Sequence, residues 1–466
     1  MPRLAWFTPL PPLTSGVARY NVELLPGLAS AHEIDVFVDG DPNRFERPSA
    51  DVAVYSAHDF VWKHFRRPYD LTVYQLGNAL CHDYMWAYLV RYPGLVVLHD
   101  GQLHHARARS LLRQKRADDY WEEFRFNHPG VDSNVAEIGT AGLLGSLTYL
   151  WPMRGVVVAS ARLVIVHNRW LADQIQEEHP GATIRVVDMG VPAPVVRPDA
   201  AERVRARHGI PPGAMLFLAL GQMTPEKRIP QAIRGLASIV DAAPDAHLLL
   251  AGEAASYYAP DDDVRRYGLA GRVTDAGFVP GAEVAEYLAA ADVCLCMRWP
   301  TSRETSAAWL RCLAAARPTI TTDLAHLVDI PALDPRTWTL LHAPPARSDE
   351  SAPPVPAEAV CVSIDILDED HSLMLAMHRL ARDARLRGAL AESALRLWKE
   401  RFTLERMESG YLLAIEEACA APLPDAATRA SLPRHFLTDG TEHAVRLLRH
   451  MELSESRIAA LWGADA

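Results

Sequence analysis

The segment 298–306 carries the residue types with the clearest chemical potential. It follows an apolar run, Val293–Cys296, and leads into a helical pattern, so Glu304 stands where a strand becomes a helix. In a sugar-binding cleft, a carboxylate at that place accepts hydrogen bonds from sugar or ribose hydroxyls. Its structural alternative is to cap the amides of the helix. Thr305 and Ser306 add hydroxyls and backbone N–H groups at the same helix start.

A second cluster, residues 221–228, follows another apolar run, with Pro225 placed to begin a helix. Lys227 and Arg228 put two adjacent cations there, and fixed positive charge stabilises the negative charge that develops on a departing diphosphate. Cations at a helix N-terminus oppose the helix dipole, so they need an anion or a nearby acid to compensate. The alternative is a solvated, basic helix start.

A glycine lies at the turn after the first apolar run. Residues 8–16 lead from this run into a helix that starts at Val17, and Gly16 ends the turn. Glycine lets backbone N–H groups approach an anion, and the helix N-terminus adds a favourable dipole. A phosphate contact and a packing role are equal alternatives for Gly16.

Short apolar runs alternate with helical patterns, which is typical of parallel sheets covered by helices. The strands predicted in the first half are 4–7, 34–38, 52–55, 71–75, 95–98, 163–166 and 184–187. After a break at 188–194 the strands predicted are 215–220, 247–251, 272–276, 293–296 and 318–322, with helices at 225–242, 283–290 and 304–316. Because the alternation of apolar runs and helical patterns begins again after this break, the sequence predicts two doubly wound sheets in tandem. Ligands are expected beyond the carboxyl ends of their strands.

The predicted fold class is therefore α/β, with two facing Rossmann-like domains, a cleft between them and a helical C-terminal tail. The domains predicted are 1–193 on the acceptor side and 194–392 on the donor side, then helices at 393–421 that pack back on the first domain, and a linker and helical tail at 422–466. Smaller features predicted are an exposed loop at 343–356, helical structure through 371–421, a linker at 422–433 and an amphipathic helix at 442–451.

Composition limits the classes of function. The 466 residues are 49% hydrophobic and 23% charged with a net charge of −11, which fits a soluble protein and argues against sequence-independent nucleic-acid binding. The six scattered cysteines predict reduced thiols. Residues 1–7 show no signal peptide, and the apolar stretch 141–158 is too short to span a membrane, so we expect a cytoplasmic protein.

Several separately placed motifs resemble family 4 glycosyltransferases of the GT-B fold, over about residues 4–420. The motifs are Pro11-Pro12-x-x-Ser15-Gly16, Gly221 with Lys227, Gly277-Phe278-Val279, Ala291-Asp292-Val293, and Arg303-Glu304-Thr305-Ser306 running to Arg317-Pro318. The resemblance implies a retaining transferase that takes a sugar from a nucleoside diphosphate, such as a UDP- or GDP-sugar, without cofactor or bound metal.

The resemblance also implies roles for individual residues. Lys227 would grip the donor phosphates, Gly16 would let its loop approach them, and His99 would face the transferred sugar. Glu304 and the backbone of Thr305 and Ser306 would hold the sugar or the diphosphate. The segment Gly277-Phe278-Val279 would border the nucleobase, and Gly221 belongs to the phosphate motif.

Two departures from the family pattern stand out. Gln222 replaces the arginine that commonly precedes the phosphate-binding lysine, and Arg228 or Arg298 is a candidate for the lost charge. The second motif glutamate, which binds ribose in the family, falls on Arg311 or Cys312. Retention without a base in the motifs favours front-face displacement, in which the departing phosphate takes the acceptor proton.

The function predicted is transfer of a sugar to a glycan, glycolipid or other hydroxyl acceptor, in cell-envelope polysaccharide or glycoconjugate synthesis. The expected partners are the sugar-nucleotide donor and a glycan or lipid-linked acceptor, and no nucleic acid is expected. Peripheral contact with the inner face of the membrane is left open. The oligomeric state is also left open. The alternative is a catalytically silent GT-B-like protein that binds a sugar nucleotide or a partner protein. A two-Rossmann oxidoreductase is disfavoured because no G-x-G-x-x-G follows the first strand. His82 and His167 are equally consistent with structural and acceptor-lining roles.

Overall fold

The structure, a computed structural model, describes residues 1–438, apart from 133, 144, 257 and 342–358, together with 450–451. Its strands are β1 (Arg3–Phe7), β2 (Glu33–Val38), β3 (Ala53–Ser56), β4 (Leu71–Leu76), β5 (Leu95–Leu98), β6 (Leu163–Val166), β7 (Ile184–Val186), β8 (Leu216–Leu220), β9 (His247–Ala251), β10 (Val273–Asp275), β11 (Val293–Cys296), β12 (Thr319–Thr322), β13 (Ala332–Leu333) and β14 (Cys361–Ile364). The predicted loop 343–356 and almost all of the predicted helix 442–451 lie outside the described residues.

The helices cover the faces of the sheets and follow the chain in this order: α1 (Gly16–Ala29), α2 (Phe60–Arg66), α3 (Met85–Arg91), α4 (His104–Arg113), α5 (Ala117–Asn127), α6 (Asn134–Thr140), α7 (Gly155–Ser160), α8 (Arg169–Glu178), α9 (Ala200–Arg207), α10 (Ile229–Ala237), α11 (Pro260–Arg266), α12 (Val284–Ala290), α13 (Ala307–Ala314), α14 (Glu369–Arg382), α15 (Ala384–Arg401), α16 (Leu404–Ala420), α17 (Ala426–Ala430) and α18 (Arg434–Leu437). No helix among the described residues is both long and apolar enough to cross a bilayer.

The strands form two parallel sheets of seven strands each, which confirms the predicted fold class. The first sheet has the order β3-β2-β1-β4-β5-β6-β7, and the second has the order β10-β9-β8-β11-β12-β14-β13. Strand order reverses between β1 and β4 in one sheet and between β8 and β11 in the other. Ligands bind at such reversal points, so the segments after these strands are where a site is expected.

The sequence placed most strands correctly because their residues are nearly continuous apolar runs. All five residues of β1 and all six of β4 are buried, as expected for strands covered on both faces. The strands β13 and β14 were not predicted. The six cysteines are free thiols, in agreement with the sequence prediction.

Helix starts were predicted less well. The predicted helix 225–242 is divided into a 3₁₀ turn, Pro225–Lys227, and α10, with Arg228 between them at φ +57°. Pro230 has no N–H to donate, so it lies at the first turn of α10 and interrupts the pattern. The predicted helix 304–316 begins only at α13, where Ser306 is the N-cap.

The helix α16 lies against the first domain, whereas α15 packs on α13 of the second. Tyr411 on α16 hydrogen-bonds Tyr20 on α1, with 2.6 Å between the two hydroxyl oxygens. Beyond α16, Leu432 and Phe436 are buried in the core of the first domain. The end of the stretch 422–433, predicted as a linker, therefore packs on that domain, because burying Leu432 removes apolar area from water.

Candidate functional site

A cleft of about 1000 Å³ lies between the carboxyl ends of the two sheets. The first domain contributes Asn78 after β4 and Asp100 after β5. The second domain contributes Gln222 after β8 and Arg298 after β11. The sequence analysis predicted a cleft between the domains, and the observed strand order places it where the two topological reversals face each other.

Three hydrogen bonds join the domains on one side of this cleft. The Gly101 N–H donates to the Ser302 carbonyl at 2.7 Å, and the Asn168 side-chain amide donates to the Arg303 carbonyl at 3.1 Å. The Thr305 hydroxyl donates to the carbonyl of His167 at 3.2 Å. Two predicted residues, Thr305 and His167, therefore meet across the domain interface.

Lys227 is a cation of this region that has no counterion among the described residues. Its ammonium forms no ion pair or side-chain hydrogen bond within the described part of the chain. Burial, and then the charge of Arg298, lower the Lys227 pKa to about 8. Gly221 has φ +106°. A Cβ at this position would lie 3.5 Å from the Lys227 Nζ atom, so the ammonium packs against the backbone of this glycine.

Glu304 lies beside Lys227 in a small pocket, but it does not cap the helix. Its carboxylate pairs with the guanidinium of Arg298 at 2.5 Å and accepts the Thr301 hydroxyl at 3.1 Å. The capping role falls to Ser306, whose side chain accepts the N–H of Trp309 at 3.3 Å. Glu304 is therefore held at the pocket wall by a cation, which suits a carboxylate that receives hydroxyl groups.

Arg228 is engaged within the second domain. Its Nε donates to Glu369 on α14 at 2.7 Å, and a second nitrogen of the same guanidinium pairs with the other carboxylate oxygen. The acid that compensates this cation is thus Glu369. Arg298 lines the cleft and contacts Glu304, so among the two candidates for the missing motif charge it is the one at the site.

Arg311 and Cys312 lie on different sides of α13. Arg311 reaches the first domain, where its Nη2 is 2.7 Å from each carboxylate oxygen of Glu23 on α1. Cys312 points into the second domain, with its Sγ 3.8 Å from the Sγ of Cys296. Neither position supplies a carboxylate, and the acid nearest to Arg311 comes from the opposite domain.

The two glycine-bearing turns predicted at the site have open surroundings. A Cβ on Gly16 would have no heavy atom within 4 Å, so the N-terminal turn of α1 is accessible. Gly277 follows β10 at φ +63°, and its N–H donates to Asp275. The neighbouring Phe278 is 64% exposed, while Val279 is partly buried. The segment predicted to border the nucleobase thus contains an exposed aromatic ring.

His99 faces the interior of the first domain. Its Nε2 is 2.7 Å from the Gln75 side-chain oxygen, and its ring packs edge-on against Tyr20 at 4.7 Å. Burial, followed by the nearby His167 and His82, lowers the His99 pKa well below its ordinary value. A neutral, buried imidazole does not reach the cleft in this arrangement, so the predicted sugar contact of His99 rests on the family resemblance alone.

Comparison with solved structures identifies the architecture. Sucrose-phosphate synthase from Thermosynechococcus elongatus matches with a TM-score of 0.61 at 16% identity, over 90% of this chain and 100% of that chain. WaaG, a glycosyltransferase involved in lipopolysaccharide biosynthesis, gives 0.57 at 15% identity over 88% and 99%. Anabaena HepE in complex with UDP and glucose gives 0.59 at 13% identity over 89% and 100%. The chain has the GT-B fold.

Sequence comparison adds a family match in the second half of this GT-B chain. Residues 214–349 match the family model Glycosyl transferases group 1, a range that includes Lys227, Glu304 and Arg311. A comparison with curated proteins gives no match. The family match thus lies within the second domain, while the first domain is matched through its fold.

Asp100 is among the cleft residues of this GT-B structure that the sequence analysis did not predict. Asp100, next to His99, turns to the cleft, and one carboxylate oxygen accepts the Asn78 N–H at 2.6 Å. Burial, and then the charge of Glu304, raise the Asp100 pKa to about 7. Successive residues of an extended chain point to opposite sides, so the inward position of His99 in the structure goes with an outward Asp100.

The Arg311–Glu23 pair gives a test of how the two GT-B domains are coupled. In a double-mutant cycle with Arg311→Gln and Glu23→Gln, we expect a coupling energy of about 0.5–3 kcal/mol, because the two charges are in direct contact and largely screened from water. Thermal unfolding of the two single variants and the double variant measures it. The exposed pair Arg169 and Asp173 is the matched control, expected below about 1 kcal/mol. Additive effects at Arg311 and Glu23 would contradict the coupling.

Proposed function

We propose that this chain is a retaining glycosyltransferase of family 4 that transfers a sugar from a nucleoside diphosphate sugar to a hydroxyl acceptor. The observation that supports it is the Lys227 ammonium, desolvated and without a counterion among the described residues. A desolvated cation is costly unless it is paired, so a bound anion relieves that cost. The diphosphate of a sugar nucleotide is such an anion, and the surrounding domain matches group 1 glycosyltransferases.

The proposed chemistry uses the charges at the ends of β8 and β11. As the bond from the sugar to the diphosphate breaks, negative charge grows on the leaving group, and Lys227 and Arg298 stabilise it. The backbone N–H groups of Thr305 and Ser306 lie at the start of α13, where the helix dipole favours an anion. Glu304 accepts hydrogen bonds from the sugar hydroxyls. The proposed reaction uses no metal ion, because side-chain cations supply the charge.

Retention in this proposal follows from front-face displacement, in which the acceptor approaches on the side from which the diphosphate leaves. A UDP-sugar is the first donor to test, since the HepE structures contain UDP or UDP-glucose; a GDP-sugar is the second. The acceptor class proposed is a glycan or a lipid-linked glycan of the cell envelope. The protein would then act in the cytoplasm or at the inner face of the membrane.

A catalytically silent sugar-nucleotide-binding protein is the second candidate. It is favoured by Gln222 and Arg311, which replace an arginine and a glutamate of the family motifs. The Arg311 guanidinium is already paired with Glu23. Such a protein would bind the donor and neither hydrolyse it nor transfer its sugar, so turnover separates the two candidates.

A thermal-shift panel of nucleoside diphosphates and sugar nucleotides tests the proposal. A ligand present at 100 times its dissociation constant adds about 2.7 kcal/mol of stability. We expect one donor class to raise the melting temperature of the wild type and of Lys399→Ala, an exposed control lysine, and to leave Lys227→Ala unchanged. A wild type that no nucleotide stabilises would contradict both candidates.

A further inference from the structure

A carboxylate that the proposed function leaves unused stands on the first-domain wall of the cleft. Asp100 follows β5 and lines the cleft together with Asn78, whose N–H holds its Oδ2 at 2.6 Å. A Cβ on Gly77 would lie 3.0 Å from Oδ2, so the glycine lets this carboxylate rest against the turn after β4. The other oxygen, Oδ1, accepts no hydrogen bond from the residues that the structure describes.

The charged and titratable groups around Asp100 come from both domains. Glu304 and Arg298, after β11, act on it with opposite signs, and Tyr149 lines the same cleft from the turn before α7. His82 lies on the same side of Gly77, where a Cβ would be 3.1 Å from its Nε2, and burial lowers the His82 pKa to about 4, so it is neutral there. Burial and Glu304 outweigh Arg298 and the Asn78 N–H, so the Asp100 carboxyl gains and loses its proton near neutral pH.

The position of Asp100 suits the acceptor side of the reaction. The donor-binding groups Lys227 and Glu304 belong to the second domain, whereas Asp100 faces them from the first. Glu304 is already paired with Arg298 at 2.5 Å, so its carboxylate is engaged within the second domain. A base must lie within hydrogen-bond reach of the proton that it removes, and a hydroxyl bound between the two domains would meet the free Oδ1 of Asp100.

We propose that Asp100 binds the acceptor hydroxyl and takes its proton, in place of the departing phosphate. This rests on the proposed function. The O–H bond breaks and its proton passes to Asp100, while the oxygen forms a bond to the anomeric carbon with the electron pair that it retains. The bond from that carbon to the diphosphate breaks, and its electron pair leaves with the nucleotide. Asp100 then returns the proton to solvent.

The test compares wild type, Asp100→Asn and Asp100→Ala with the donor that the thermal-shift panel selects, using water as the acceptor. We expect the hydrolysis kcat to fall about 100-fold or more in both variants, with the donor KM and the UDP-induced thermal shift within twofold of wild type. The wild-type rate should decline as pH falls through about 7, and this limb should be absent in Asp100→Asn. Added formate should restore part of the rate of Asp100→Ala.

The exposed Asp118→Asn is the matched control and should keep the wild-type rate and pH profile. Unchanged kcat and an unchanged acid limb in Asp100→Asn would overturn the role of Asp100 and leave the proposed function intact. A wild type that binds no sugar nucleotide, or binds one without turnover, would overturn the transferase proposal and the Asp100 role with it. These failures are distinguishable because the second appears in the wild type.

Discussion

Replacing Lys227 by alanine is expected to lower the rate of sugar transfer or donor hydrolysis by about 100- to 1000-fold, or about 2.7–4 kcal/mol. The magnitude follows by analogy from the loss of one group that stabilises transition-state charge. Lys227 forms no ion pair among the described residues, so its charge is available to the leaving diphosphate. Steady-state kinetics with the donor identified by thermal shift measures the loss.

The pH dependence of nucleotide binding is an independent test of the role of Lys227. Because the Lys227 pKa is about 8, the free protein carries the ammonium below that pH and loses it above. Affinity for UDP should therefore weaken as pH rises from 7 to 9.5, and calorimetric titration at several pH values measures this. A flat affinity over that range would contradict the role of Lys227 as a phosphate ligand.

The Lys227 variant should remain folded. A folded-state pKa below the unfolded value of 10.5 means that the unfolded chain binds the proton more tightly, so the charged lysine costs stability at neutral pH. This cost is complete below about pH 8 and is relieved as pH rises toward 10.5. We expect Lys227→Met to melt at the wild-type temperature or above it when no nucleotide is present. A lower melting temperature would assign the lysine a structural role.

Replacing Arg107 by methionine is expected to lower the free energy of unfolding by about 3–5 kcal/mol, because it leaves Glu123 buried without its principal partner. Arg107 on α4 is 4% exposed, and it pairs with the fully buried Glu123 and with Asp83 at 2.6 Å. Its guanidinium also lies over the ring of Phe436, 5.3 Å from the centroid. Urea unfolding, followed by tryptophan fluorescence, measures the change.

Two variants control for this effect. The double variant Arg107→Met/Glu123→Met removes both charges and should recover part of the lost stability, since no buried charge is left unpaired. Arg169→Ala breaks an exposed pair and should cost less than about 1 kcal/mol. A small effect of Arg107→Met would mean that water or His435, which lies 2.8 Å from Glu123, compensates the carboxylate.

Losing Arg107 should also disturb the cleft. Other residues of the same helix, His105 and Arg109, line the cleft, so the ion pairs of Arg107 fix the position of its first-domain wall. The sequence analysis found no rule for the segment 102–150. The reason is physical: α4 is held by ion pairs with Asp83 and Glu123 and by the stacked C-terminal Phe436, all distant from it in sequence.

The strands were predictable because burial on both faces of a parallel sheet demands continuous apolar residues. Thus Leu95–Leu98, Leu163–Val166 and Val293–Cys296 were placed at their observed bounds. Helix starts were less predictable, since Pro230 and the hydrogen bonds of the turn before Ser306 override the apolar pattern locally. The candidate site was also foreseeable in part, because the turns after β8 and β11 are adjacent to recognisable motifs.

The sequence by itself determined that this chain forms two doubly wound domains and that Lys227 and Glu304 each follow a strand of the second. Local patterns suffice for this, because the apolar runs of buried strands and the periodicity of helices can be recognised in the sequence itself. Tertiary structure decided that Asp100 faces the cleft while His99 is buried, and that Arg311 meets Glu23. Which side of a strand or helix faces a partner depends on the packing of distant elements, here α1 and α16 around His99 and the opposite domain beside Arg311.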